Sequence, residues 1–166
     1  MNRESIRQQL EPAIHAQLDE LVSANHCGAG PLALTAGQTE LRIRLTSVDR
    51  LACELKSLSV TNPGFGRRST DELNKMAGLL ADKLSYLEER LIVLEVDDVA
   101  ADVQMRSESP HVDDSVRSYF EVHVGRSGIT LQRFAKQDGQ PRQTVPAALT
   151  RRILSRACVD LVDVAE

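Results

Sequence analysis

The chain has 166 residues, 42% of them hydrophobic and 27% charged, which fits one globular domain and excludes wholesale disorder. Two Tyr, three Phe and no Trp leave the core to Leu, Val, Ile and Ala, and a net charge of −4 argues against a nucleic-acid partner. No apolar run approaches the roughly 20 residues that cross a bilayer, and no signal-peptide core follows Met1, so a cytoplasmic location without membrane contact is expected.

Ile6, Leu10, Ile14, Leu18, Leu21 and Val22 recur at three- and four-residue steps and predict a helix over about residues 3–24. Pro12 lacks a backbone donor, so the regular helix could instead begin at Glu11–Pro12. The stretch from Asn25 to Thr39 is rich in Gly and Ala and reads as a connection. Leu41, Ile43 and Leu45 alternate with Arg42 and Arg44, giving a strand. A second strand, from about Leu51 to Val60, changes phase: Leu51, Cys53 and Leu55 share one face, Leu58 and Val60 the other. A bulge near Lys56–Ser57 accounts for the slip.

Ser69-Thr70-Asp71-Glu72 supplies a cap and a capping-box glutamate. Leu73, Met76, Ala77, Leu80, Leu84 and Leu87 extend the helix over about residues 70–89. Period-two alternation then sets in. Ile92, Leu94 and Val96 form one apolar face, Asp97–Asp98 turns, and Ala101, Val103 and Met105 form the next. A polar loop from Ser107 to Val116 precedes Phe120, Val122 and Val124, and Gly125-Arg126-Ser127-Gly128 turns the chain into Ile129 and Leu131. A two-residue turn pairs Val124 with Ile129, Val122 with Leu131, Tyr119 with Phe134 and His123 with Thr130. It also sets Arg133 opposite Phe120 on the oily side, so either Arg133 snorkels or the register slips. Pro146 opens the last helix, whose buried face carries Leu149, Ile153, Ala157 and Leu161.

The order α-β-β-α-β-β-β-β-α predicts an α+β two-layer sandwich: a mainly antiparallel sheet of about six strands, packed on one face by three helices. One domain spans residues 1–166, with the N-terminal helix (1–24) as its most peripheral part.

Candidate chemistry is sparse. Backbone donors at Gly64, Gly66, Ser69 and Thr70, beside Arg67 and Arg68, could hold a phosphate or carboxylate at a helix start. The loop fits neither G-x-x-x-x-G-K-[ST] nor G-x-G-x-x-G, and Asp71 and Glu72 would repel an anion. His111, Asp113 and Asp114, or Asp97, Asp98 and Asp102, show no spaced partner motif for a metal. Acids in tight turns serve turn geometry. Cys27, Cys53 and Cys158 form no C-x-x-C pair and read as reduced thiols. His26 and Cys27 are adjacent, but neighbours in sequence rarely face each other as catalytic partners do. No cofactor or catalytic residue is assigned.

Tyr119, Phe134, His123 and Val93, rimmed by arginines on the open face of the sheet, make a candidate docking patch. The element order resembles the secretion-chaperone-like fold, including type III secretion chaperones. That resemblance implies helices on an antiparallel sheet, dimerisation, and hydrophobic surface presented to a partner. The charge is uneven: residues 71–114 hold twelve acids against four bases. The expected function is a non-enzymatic protein-interaction, adaptor or chaperone-like module with a protein partner or a second copy. The alternative is a regulatory domain binding a small molecule or anion at Gly64–Thr70.

Overall fold

A computed structural model of the chain describes residues 2–24 and 31–166; His26 and Cys27 lie outside the described residues. The elements are α1 (Arg3–Ser23), β1 (Leu32–Ala36), β2 (Thr39–Val48), β3 (Ala52–Thr61) and α2 (Thr70–Lys83). There follow β4 (Leu91–Asp97), β5 (Asp102–Ser107), β6 (His111–Asp113), β7 (Val116–Gly125), β8 (Gly128–Gln137), β9 (Gln143–Val145), β10 (Ala147–Thr150) and α3 (Arg151–Ala165). The fold is α+β with an antiparallel sheet, as the alternation predicts, but with ten strands among the described residues instead of about six. The sheet runs β1-β2-β3-β8-β7-β5-β4, with β10 beside β3, β6 beside β7 and β9 beside β8. The short β1 and β6 fall in stretches expected to be connections, β10 in one expected to be helix, and β9 in one for which no element was expected. No helix among the described residues is long and apolar enough to cross a membrane.

Helix α1 passes unbroken through Pro12. Pro12 and Gln8, whose carbonyl loses its partner, are both exposed, so water can supply the missing bond. The Asn2 side chain caps the helix by accepting from the Ser5 N–H at 2.9 Å. Ile6, Leu10, Ile14 and Leu18 are buried, which makes α1 part of the core and not a peripheral element. Helix α2 starts on the expected capping box, with both reciprocal bonds between Ser69 and Glu72 present. A tight 3-10 turn, Leu84–Leu87, extends it to Glu88, which closes the helix in the left-handed region at φ 63°.

Helix α3 lies between α1 and α2 and touches both. It begins later than Pro146 because Ala147–Thr150 pair instead with Ala52–Leu55 of β3. Thr150 is the true cap, accepting from the Ile153 N–H at 3.2 Å. Buried Asp160 on α3 accepts from Arg3 at 2.6 Å and from the Tyr86 hydroxyl at 3.0 Å, tying the three helical segments together. Burial is the leading cause of the rise in the Tyr86 hydroxyl pKa.

The expected bulge in β3 is present: Arg44 faces Ser57 and Leu45 faces Leu55, leaving Lys56 without a counterpart on β2. That extra residue returns Cys53, Leu55, Leu58 and Val60 to one buried face. The β7–β8 register is as predicted, from Gly125 opposite Gly128 through Tyr119 opposite Phe134. Val103, Val122 and Leu131 are fully buried under the helices. Arg133 does sit on the oily side; it stacks on Phe120 at 4.6 Å and pairs with Glu89 at 2.8 Å, so the register holds.

Strand β4 departs from the expected phase. Leu91 is buried, and a register shift between Val93 and Glu95 leaves Leu94 without a partner on β5. Val93 faces Met105 and Val96 faces Val103, so both belong to the helix side, and Leu94 falls in the irregularity between them.

The sheet also forks. Beyond three pairs (Leu58–Leu131, Ser59–Thr130 and Val60–Ile129), β3 and β8 separate. Strand β10 takes over pairing with β3, β9 takes over pairing with β8, and Pro146 lies between them. Gly128 begins β8 at φ 127°, and a Cβ there would lie 2.2 Å from the Val60 carbonyl oxygen. Gly128→Ala should therefore destabilise the fold by about 2–3 kcal/mol through strain and overpacking. Urea denaturation measures this, and a midpoint equal to wild type would contradict the close approach.

Candidate interaction site

The four residues of the expected docking patch do not converge. Val93 points to the helix side of the sheet, whereas Tyr119, His123 and Phe134 occupy the opposite face. Tyr119 and Phe134 stack with centroids 6.1 Å apart. Their outer surfaces are roofed by cations: Arg106 sits 4.5 Å from the Tyr119 ring and Arg142 4.4 Å from the Phe134 ring. Tyr119 is only 5% exposed. The pair is consequently an internal brace of the hairpin with little apolar surface to offer.

Beside it lies a network that sequence reasoning missed. The Glu121 side chain is 1% exposed and accepts from Arg142 at 2.6 Å, Arg106 at 3.2 Å and His123 Nε2 at 3.0 Å. His123 Nδ1 reaches Asp102 at 3.0 Å. Burial pushes the Glu121 carboxyl up, but hydrogen bonds from His123, Arg142 and Arg106 outweigh it and hold the pKa below the ordinary value of 4.5. Burial pushes His123 down, but bonds to Asp102 and Glu121 raise it above 6.5. An imidazole held between two carboxylates donates at both nitrogens, which suits a strut and not a general base. The alternation that places Asp102, Glu121 and His123 on one face was visible; Arg142, brought in by the loop after β8, had no such signal.

The loop from Gly64 to Thr70 spends several of its donors internally. The Gly64 N–H donates to the Asn62 side chain at 2.9 Å, and the Ser69 N–H donates to Glu72 at 2.8 Å. Arg68 donates to the Ala165 carbonyl at 2.7 Å and lies over the Phe65 ring, fastening the end of α3. A Cβ added at Gly66 would meet open space, Thr70 opens α2, and Arg67 closes the short turn Phe65–Arg67.

Two open features among the described residues bear on binding. A cleft of about 890 Å³ lies at the fork, lined by Tyr86, Glu89, Phe120, Arg133, Leu149 and Ile153 among others. Its polar floor is paired: Arg133 bonds Glu89 and, at 2.9 Å, Ser118, while Glu89 also accepts from the Ser107 hydroxyl. The second feature is the β4 edge. Among the described residues no strand pairs with its outer side. Val93, Leu94, Val96 and, just beyond, Val99 are 38%, 51%, 41% and 95% exposed. Met105 and Val103, the cross-strand neighbours of Val93 and Val96, are fully buried, so the oily face runs out to this edge and stops uncovered. The run Leu91-Ile92-Val93-Leu94 without Lys or Pro was the sequence signal for it.

The remaining candidates serve structure. Cys53 and Cys158 are buried free thiols, and burial pushes Cys53 up to about 11, far from a reactive thiolate. Asp97 accepts from the Val99 and Ala100 N–H groups at 2.9 Å, shaping the β4–β5 turn. No known protein family, curated protein or solved structure matches the chain.

The outer network fixes a pH signature. Because the Glu121 pKa is lowered on folding, its contribution is present above about 4.5 and is lost as pH falls through the folded value. Because that of His123 is raised, its contribution is complete below 6.5 and is lost as pH rises through the folded value. Thermal melts should show wild type losing stability relative to His123→Gln as pH rises from 6.5. An NMR titration midpoint for His123 at or below 6.5 would refute the arrangement.

Proposed function

We propose that the protein is a non-enzymatic interaction module that takes an extended segment of another chain along the outer edge of β4. The observation that carries this reading is the uncovered margin at Val93, Leu94 and Val96, next to fully buried Met105 and Val103. An added strand would satisfy the outward backbone groups of β4 and continue the oily face beyond the sheet's present limit. Supporting it, the polar clusters elsewhere bond within themselves: the Glu121 network, the Arg133–Glu89 pair and the Arg68 tether all have partners. Chaperone-like behaviour would follow from the same edge, since a strand-adding surface holds extended chain in preference to folded protein.

The test compares wild type with Leu94→Pro and with Tyr119→Ala/Phe134→Ala in affinity for the same captured partner. Leu94 has no counterpart in the β4–β5 register, so proline there disturbs no paired residue and makes β4 a poor template for an added strand. Leu94→Pro should weaken binding at least tenfold, while the double alanine, which alters the other face, should leave it within about twofold. Equal affinity for wild type and Leu94→Pro would remove the reading.

A second reading, binding of a small molecule, is favoured by the fork cleft, whose volume of about 890 Å³ falls in the range of ligand sites. It moves the small-molecule alternative away from Gly64–Thr70, whose Arg68 and Ser69 donors are engaged. A nucleotide, sugar-phosphate and carboxylate panel in thermal shift tests it. A ligand that stabilises wild type should fail on Ala148→Trp, which fills the cleft from its exposed rim. Stabilisation that survives this change places the ligand elsewhere.

A further inference from the structure

Resting on the reading of β4 as a strand-adding edge, we infer that its occupant is a basic extended segment of a different protein, and not a second copy of this chain. Two constraints on β4 carry this inference.

The first is the facing of side chains. Val93 and Val96 lie on the helix side, so an antiparallel occupant must set apolar residues against them on that side. On the opposite side, Glu95 faces Gln104 and Asp97 faces Asp102, and exposed Asp98 follows at the turn. An occupant alternating apolar residues with Lys or Arg meets both demands at once: its apolar side chains extend the core and its cations lie beside Glu95 and Asp97. Opposite charges directly across a strand pair stabilise it and like charges oppose it.

The second is the cost of self-pairing. A two-fold antiparallel contact that matches faces sets Val93 of one copy opposite Val96 of the other, and Leu94 opposite Glu95. That arrangement gathers Glu95, Asp97 and Asp98 from both chains along one seam, with Arg90 as the sole base between residues 90 and 99 of each copy. Arg90 already lies 3.7 Å from Glu108. The wider field has the same sign, with twelve acids against four bases over residues 71–114. This field disfavours a second copy and draws a cationic segment.

The test uses synthetic peptides of about ten residues, a common strand length, each with a fluorescent label: alternating Val and Lys, alternating Val and Glu, and the Val–Lys peptide N-methylated at every second residue. Anisotropy against the full chain should show the Val–Lys peptide binding at least tenfold tighter than Val–Glu, and more weakly as salt rises. N-methylation, which removes donors without touching the protein, should abolish binding. Glu95→Lys/Asp98→Lys should reverse the preference between the two peptides.

Two results would overturn the charge assignment yet leave the β4 edge standing. One is equal binding of Val–Lys and Val–Glu, with both lost in Leu94→Pro. The other is a concentration-dependent dimer, seen by light scattering and broken by Leu94→Pro. Binding of Val–Lys that survives both N-methylation and Leu94→Pro, or no binding of any peptide by a monomer, would overturn the charge assignment together with the edge.

Discussion

The two halves of the sheet meet along only three residue pairs, Leu58–Leu131, Ser59–Thr130 and Val60–Ile129. That short seam depends on glycine at 128, where any side chain would strike the Val60 carbonyl. Strands β1–β3 lie on one side of it and β4–β8 on the other, so the seam decides whether the chain forms one oily face or two. Helix α3 strengthens the join from above, touching β2 and β3 on one side and β8 on the other. The buried Asp160 carboxylate then binds α3 to Arg3 and Tyr86, which fixes the flanking helices over their own halves. With Arg3, Tyr86 and, at 3.8 Å, Arg156 around it, burying that charge is tolerable; stripped of them it becomes a liability.

Much of this arrangement can be read from the sequence wherever one face is oily and turn chemistry is definite. The β7–β8 register follows from strict alternation across a two-residue turn, and the β3 bulge from a change of phase across Lys56. The α2 start follows from Ser69 and Glu72. Strand β4 failed because Leu91 to Leu94 is apolar throughout, so alternation has two solutions there. A shift at Leu94, invisible in composition, picks between them. The last helix failed because Pro146 resembles a first-turn proline, while the real cap at Thr150 carries the same kind of signal four residues on. Strands β1, β6, β9 and β10 are three to five residues long, too short for periodicity to register. The candidate site suffered in the same way. Aromatics and arginines drew attention to a face where they bond one another, and the open edge lay within the misphased strand.

A common logic links the polar chemistry. Charged side chains that reach buried or half-buried positions arrive with partners: Arg133 with Glu89, Glu121 with Arg106, Arg142 and His123, and Arg151 with Asp19 at 2.7 Å. Each set spans separate segments and so sharpens the choice of register. The β4 margin differs in kind. Among the described residues no strand covers the apolar surface that ends there.

Strand β10 and helix α3 are the last of the described elements, yet the first half of the sheet leans on both. Until residues 147–165 are synthesised, Leu55, Leu58 and Val60 have no helix above them and the lower half of β3 has an open flank. Because β3 precedes β10 and α3 by about ninety residues, it leaves the ribosome well before the elements that cover it. Its assembly is governed by contacts about a hundred residues apart, of the long-range type that folds slowly and invites holding factors.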